Sequence, residues 1–184
     1  MSFRAFISID IDAGQSLREL CRELKQSGAA LKVVNPDIMH ITLKFLGDVE
    51  EPLVEDISRV IRDSVHDVSR FEMKLHDIGA FPNKNRIRVV WVGIPDPGPL
   101  ESVAERLDEG LSPLGFEMEK RKFRPHLTVA RAKTPQGMDR VQEIMERWGN
   151  TDFGSQVVDR IRLKKSVLGP KGPTYFTVEE VGLL

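Results

Sequence analysis

The sequence has a single cysteine and no long apolar run. With only Cys21 in the chain, no internal disulfide can form, and its place on an apolar helical stripe predicts a small packing residue. No apolar run approaches the roughly 18 residues of a membrane-spanning helix. The first residues lead directly into a strand-like segment and not into the apolar region of a signal peptide. These absences predict a cytoplasmic protein that does not cross a membrane.

Neither sign of charge is in marked excess. The chain contains 27 Lys and Arg against 28 Asp and Glu, for a formal net charge of -1. This balance excludes proteins that follow long nucleic-acid backbones, because they need many phosphate-neutralising cations. Any contact with RNA is therefore expected to be local. The 184 residues, 40% of them hydrophobic, suffice for one compact core, and we expect a monomer.

A short segment occurs twice, about half a chain length apart. His40-Ile41-Thr42-Leu43 recurs as His126-Leu127-Thr128-Val129. The surrounding patterns recur in the same order: a strand, a helix, the His-x-Thr segment, a second helix and a hairpin. In the first half these are Phe6–Asp10, the stripe Leu17 to Leu24, a helix opened by Pro52, and strands before the turn Pro82–Asn85. In the second half they are Val89–Ile94, the stripe Leu100 to Leu111, a helix with Thr134-Pro135 at its start, and Val157–Leu168 before the turn Gly169–Pro173.

This order predicts an α+β fold that is bilobal and internally duplicated. We expect two antiparallel sheets with helices on the outer faces and a central cleft. No linker is apparent, so residues 1–184 are predicted to form one domain, with duplicated halves of about 1–85 and 86–184, each forming a lobe.

The two His-x-Thr segments are the candidate site. Residues two apart in a strand point to the same face, so each segment presents one imidazole and one hydroxyl. Two imidazoles with pKa values near neutrality suit phosphoryl transfer, since one accepts a proton while the other supplies one. Two histidines without further ligands make a poor zinc site, so no metal and no cofactor are expected. His66 and His76 lack the motif and are predicted to have no part in catalysis.

These segments resemble the paired signatures of the two-histidine (2H) phosphoesterase superfamily. The similarity is closest to the RNA 2',3'-cyclic phosphodiesterases, historically called 2'-5' RNA ligases. It is carried by His40–Gly47 and Pro125–Arg131, and extends to the opening Phe3–Ile9 and the closing Gly172–Tyr175.

The resemblance implies a mechanism and a substrate. His126 would activate water and His40 would protonate the departing 3'-oxygen of an RNA 2',3'-cyclic phosphate end, leaving a 2'-phosphomonoester. Thr42 and Thr128 would bind the phosphoryl oxygens. The reverse reaction, 2'-5' ligation, is implied by microscopic reversibility, and the near symmetry leaves the assignment of acid and base open.

Arg131 matches the family's arginine five residues after the second histidine. A guanidinium suits a phosphate, but an odd offset on a regular strand places Arg131 on the opposite face from His126. The strand must therefore end, bend or twist for Arg131 to reach the cleft. Phe45 holds the equivalent place in the first half, where it is either a stacking face for a base or, as we expect, a core aromatic.

A basic run, Lys120–Arg124, precedes the second motif, and Lys84, Arg86 and Lys171 lie in the two hairpins. These residues form either a rim that receives an RNA end or solvated strand edges that prevent aggregation. Two other functions stay open. One is a related phosphodiesterase acting on a 2'-5' oligonucleotide or small cyclic nucleotide, and the other is a module that binds RNA ends without turnover.

Overall fold

The computed structural model describes residues 1–184. It contains nine strands: β1 (Ser2–Asp10), β2 (Leu31–Val33), β3 (His40–Glu50), β4 (Phe71–Asn83), β5 (Arg86–Gly93), β6 (His126–Ala132), β7 (Asp152–Val158), β8 (Arg160–Gly169) and β9 (Gly172–Gly182). The four helices are α1 (Gln15–Gln26), α2 (Val54–Val65), α3 (Leu100–Leu111) and α4 (Met138–Trp148). Each helix carries an apolar stripe on one side, as a helix packed on a sheet requires.

The strands form two antiparallel sheets with a central cleft between them. The first sheet has the order β3-β1-β8-β9 and the second has the order β2-β6-β5-β4-β7. Helices α2 and α3 pack against the first sheet, and α1 and α4 pack against the second. The predicted α+β, bilobal class is therefore correct. Strands β3 and β6, which carry the two His-x-Thr segments, lie in contact with each other where the sheets meet.

The lobes do not coincide with the two halves of the chain. Strand β1 pairs with β8 from Arg4↔Ser166 to Ser8↔Arg162, so the first sheet is built from both halves. The second sheet also mixes them, because the hairpin from β4 leads directly into β5. The expectation that residues 1–85 and 86–184 each form a lobe is wrong. A repeat in the sequence fixes the order of the elements, whereas strand pairing across the chain decides which elements share a sheet.

Two local predictions also need correction. Val157–Leu168 is not one strand, because β7 ends at Val158 and β8 begins at Arg160 in the other sheet. Thr134 and Pro135 do not open α4. The chain first turns at Gly137, which has a φ of 77°. Gly137 also lies so close to Ala29 that a Cβ on it would stand 2.7 Å from the Ala29 Cα. Only glycine meets both demands, and the helix therefore begins at Met138.

Pro52 does not open α2 itself but lies in the 3-10 turn Glu51–Leu53, after which α2 begins at Val54. The remaining features agree with the sequence patterns. The turns after β4 and β8 are hairpin turns, as predicted. Cys21 is buried, and burial raises the pKa of its thiol to about 11, which suits a packing residue. None of the helices is both long and apolar enough to traverse a lipid bilayer.

Candidate active site

Each motif histidine is the first residue of its strand. His40 opens β3 opposite Asp10 of β1, and His126 opens β6 opposite Gly93 of β5. The two imidazoles are held in the same way. Nδ1 of His40 bonds the carbonyl oxygen of Ile38 at 3.1 Å, and Nδ1 of His126 bonds that of Arg124 at 2.6 Å. Because a carbonyl only accepts, Nδ1 carries the proton in both rings, and Nε2 is left to exchange protons.

Aromatic rings enclose His40 on two sides. Phe6 stacks on the imidazole with ring centroids 4.7 Å apart, and Tyr175 meets it edge-on at 5.1 Å. Burial lowers the pKa of His40 most strongly. The carbonyl of Ile38 and the charge of Asp10 raise this pKa, while nearby cations lower it.

His126 has a similar environment without a carboxylate. Phe81 meets its ring edge-on at 5.0 Å. Burial is again the main cause that lowers the pKa of the imidazole, the Arg124 carbonyl opposes it, and the charge of Arg131 adds to the lowering. Both histidines are therefore biased toward the neutral form in the free protein.

Thr42 and Thr128 lie on the same strand faces as their histidines and are half-buried. Each pairs across the sheet with a residue that has an unsatisfied polar atom. Ser8 stands opposite Thr42 and Trp91 opposite Thr128. The Ser8 hydroxyl and the Trp91 indole N–H are buried and have no hydrogen-bond partner in the protein.

A bulge brings Arg131 to the face of His126. In the pairing of β6 with β5, Thr128 stands opposite Trp91 and Ala130 opposite Val90, so Val129 is an extra residue. The extra residue inverts the alternation, and Val129 and Ala130 are both buried. Arg131 is consequently exposed on the cleft side, where it makes no ion pair and its charge lowers the pKa of both His40 and His126. The strand distortion that Arg131 requires is present.

The same irregularity occurs in β3. Thr42 pairs with Ser8 and Lys44 with Ile7, which leaves Leu43 as the extra residue. Phe45 is thereby turned to the cleft side, and 63% of its surface is exposed. The expectation that Phe45 is a core aromatic is wrong, because the bulge gives the interior position to Lys44.

The sequence patterns missed several cleft residues. Tyr175, on β9, contacts His40, and Arg131 partly offsets the burial that raises the pKa of its phenol. Asp10 accepts bonds from Arg162 at 2.6 Å and Lys164 at 2.8 Å, which forms a charged group beside His40. The alternation of polar and apolar residues in β1 and β8 and the closing Gly-Pro-Thr-Tyr segment are the sequence features that could have indicated these residues. Neither feature shows which strands are neighbours.

Lys120–Arg124 is a loop leading into β6 and not part of a strand, so the strand-edge explanation of this run is wrong. Arg121 and Arg124 have no carboxylate within ion-pair distance, whereas Lys120 lies 3.6 Å from Glu117 and Lys122 lies 3.1 Å from Glu101. The structure contains no group of three or more His, Cys, Asp or Glu side chains arranged to hold a metal ion.

The sequence is similar to curated proteins over nearly its whole length. A Methanothermobacter thermautotrophicus protein named RNA 2',3'-cyclic phosphodiesterase is 38% identical over 181 residues, which is 97% of this chain and 98% of that protein. An Archaeoglobus fulgidus protein of the same name is 38% identical over 177 residues, covering 94% and 96% of the two chains.

Solved structures share the fold. A Thermus thermophilus protein superposes with a TM-score of 0.77 at 27% identity, covering 98% of this chain and 97% of the other. E. coli LigT in complex with 3'-AMP superposes with a TM-score of 0.76 at 24% identity, covering 100% and 99%. The LigT-like phosphoesterase family model matches twice, over residues 7–91 and 92–175. The chain therefore belongs to the LigT-like phosphoesterase family, within the two-histidine superfamily.

Proposed function

We propose that the protein hydrolyses the 2',3'-cyclic phosphodiester ends of RNA to 2'-phosphomonoesters. The observation that carries this proposal is the matched pair of histidines. Both rings are fixed through Nδ1, and one cation, Arg131, acts electrostatically on both. The relatives named RNA 2',3'-cyclic phosphodiesterase supply the substrate class.

In the proposed reaction, Nε2 of His126 takes a proton from a water molecule as the water oxygen attacks phosphorus. The bond between phosphorus and O3' breaks, and Nε2 of His40 donates its proton to O3'. The product has a 2'-phosphate and a free 3'-hydroxyl. Asp10 favours this assignment: it stands opposite His40 and raises the pKa of that ring, against the lowering by burial, Lys164 and Arg131, while Gly93 holds the same place at His126. A nearby carboxylate favours the protonated form that a general acid requires.

The remaining site residues would bind the phosphoryl oxygens. Thr42 and Thr128 offer one hydroxyl from each sheet, on the faces that carry the histidines. Arg131 offers a planar fork of donors to the developing negative charge. Such donors contribute most when charge builds up on the oxygens in the transition state.

The chemistry proposed here requires neither metal nor cofactor, because the imidazoles and the guanidinium supply the proton transfers and the charge stabilisation. With a 5'-hydroxyl in place of water, the same site would join the cyclic end to that hydroxyl in a 2'-5' linkage: the bond from phosphorus to O5' forms as the bond to O3' breaks, His126 takes the hydroxyl proton and His40 protonates O3'. We also propose that residues 1–184 act as one duplicated domain, as a monomer, on RNA in the cytoplasm. The two family-model matches, one in each half, support the duplication.

One assay tests the activity. A short RNA with a 2',3'-cyclic phosphate end is incubated with the protein in the presence of EDTA, and the product is identified by chromatography against 2'- and 3'-phosphate standards. We expect complete conversion to the 2'-phosphate. Recovery of the intact cyclic end, or of the 3'-phosphate, would contradict the proposal.

A further inference from the structure

A groove of about 490 Å³ lies beside the cleft, at the edge of the first sheet. One wall is Phe45–Gly47 of β3, and the other is the loop segment Phe116–Arg121. The reaction proposed above does not use this groove.

Phe45 connects the groove to the cleft. Its ring centroid lies 6.5 Å from that of Phe6, which stacks on His40. The exposed Phe45 ring therefore belongs to both surfaces. Across the groove, 48% of the surface of Met118 is exposed, so two apolar side chains are available to a ligand. An aromatic side chain suits a nucleobase, because any base can stack on it. A thioether adds a favourable contact with an aromatic ring.

The loop wall is fixed from the interior by Lys44, the residue before Phe45. Only 3% of the surface of Lys44 is exposed. Its Nζ donates to Asp108 at 2.6 Å and to the carbonyl of Glu117 at 2.7 Å. Asp108 in turn accepts from the backbone N–H of Glu119. The loop wall is therefore fixed by hydrogen bonds to a buried ion pair that joins β3 to α3.

These contacts also determine the charge of the groove. The Glu119 carboxylate is directed to Lys44, 3.4 Å away, and Glu117 lies 3.6 Å from Lys120. Arg121 has no acidic partner. Because its guanidinium makes no ion pair, its hydrogen-bond donors are available to an anionic group of a ligand.

We propose that this groove binds the nucleotide immediately 5' of the cyclic end, with its base against Phe45 and Met118 and its backbone phosphate at Arg121. The proposal rests on the function proposed above. The cyclic phosphate occupies both the 2' and 3' oxygens of the terminal ribose, so the RNA continues only through the 5' oxygen. The next nucleotide must therefore leave the cleft, and the Phe45 side offers it an aromatic ring and a free cation. The groove makes the protein selective for RNA ends over mononucleotides.

The test compares kcat/KM for adenosine 2',3'-cyclic phosphate with that for di- and trinucleotides carrying the same end. We expect a gain of at least about fivefold from mono- to dinucleotide, in line with the stacking of one base, and little further gain for the trinucleotide. Arg121→Gln and Met118→Ser should remove most of this gain and leave mononucleotide hydrolysis within about twofold. The matched control is Arg22→Gln, which removes one exposed charge from α1 and should preserve the gain.

Equal kcat/KM for mono- and dinucleotide in the unmodified protein would overturn the proposal, as would equal losses on both substrates in Arg121→Gln. Failure of the catalytic proposal gives a different result, namely no hydrolysis of either substrate. In that case the groove is tested by NMR, using the Met118 methyl signal and a dinucleotide with an uncyclised 3'-phosphate. The signal should shift with the dinucleotide and not with adenosine 3'-phosphate, and no shift with the dinucleotide would refute binding in the groove.

Discussion

Phe45 and Arg131 occupy equivalent positions in the two motifs, and each reaches the cleft because one extra residue interrupts its strand. Leu43 is the extra residue in β3 and Val129 in β6. The backbone symmetry of the site is thus kept, while its chemistry differs between the two sides. One motif presents an aromatic ring and the other a cation. This difference distinguishes the two histidines, so that an asymmetric substrate binds between them in one orientation.

The charge and the shape of Arg131 have separable effects. Because its positive charge lowers the pKa of both His40 and His126, Arg131→Gln should raise both pKa values and move the pH optimum of kcat/KM upward. Arg131→Lys keeps the charge and should leave the optimum in place. Both variants should lose activity, by on the order of tenfold to a hundredfold for Gln, since a hydrogen bond to a charged group is removed. Steady-state profiles of the three proteins measure this, with Arg22→Gln as control. An unchanged optimum in Arg131→Gln would contradict the electrostatic role.

Each histidine is expected to be essential. His40→Ala and His126→Ala should each lower turnover at least about a hundredfold, the usual contribution of a positioned acid or base. The double variant should lose less than the product of the two single losses, because the residues act together. His66→Ala, which lacks the Thr partner, is the control and should be near normal. A folded single variant with near-normal turnover of the cyclic end would exclude the two-histidine mechanism.

The sequence predicted that the histidine and threonine of each motif share one strand face, because strand alternation is a local property that a repeated motif reveals. It did not predict the face of Arg131, since a bulge depends on how the neighbouring strand pairs and not on the residues of the bulged strand alone. The burial of Lys44 could not be predicted for the same reason. A lysine in a strand is expected to face solvent, yet the bulge at Leu43 turns the Lys44 side chain inward to Asp108. The sequence could likewise not predict that each sheet contains strands from both halves of the chain, or that Tyr175 contacts His40. Both depend on pairing between distant segments.

The buried pair of Lys44 and Asp108 should matter for stability. Lys44→Met leaves the Asp108 carboxylate, whose side chain is only 14% exposed, without its cation. We expect a loss of about 3 kcal/mol in the free energy of unfolding. A variant that also carries Asp108→Leu should recover part of that loss, because no unpaired charge remains. The exposed pair Lys74–Asp152 is the control, and Lys74→Met should cost much less than Lys44→Met, because solvent screens the exposed charges. Urea unfolding of the unmodified protein and the three variants measures these losses. Equal losses in Lys44→Met and Lys74→Met would mean that the buried pair contributes no more to stability than the exposed pair.

The pH dependence tests the acid-base assignment and the metal-independent chemistry together. The base must be neutral, so kcat/KM falls as pH drops through its pKa. The acid must be protonated, so kcat/KM falls as pH rises through its pKa. Burial lowers both imidazole pKa values in the free protein, so the bell of kcat/KM should lie at lower pH than expected for two unperturbed histidines. Its limbs belong to the coupled pair and not to single residues.

Substrate should move this profile in a definite direction. A bound phosphodiester carries a negative charge, which favours the protonated imidazoles and raises both pKa values. The kcat profile, which reports the enzyme-substrate complex, should lie at higher pH than the kcat/KM profile. EDTA should leave both heights unchanged, because no metal-bound water takes part. Loss of activity in EDTA with recovery on adding a divalent metal would replace the histidine mechanism by a metal-dependent one. A kcat/KM profile that is flat from about pH 5 to 8 would remove the acid-base pair, provided that single-turnover rates are flat as well.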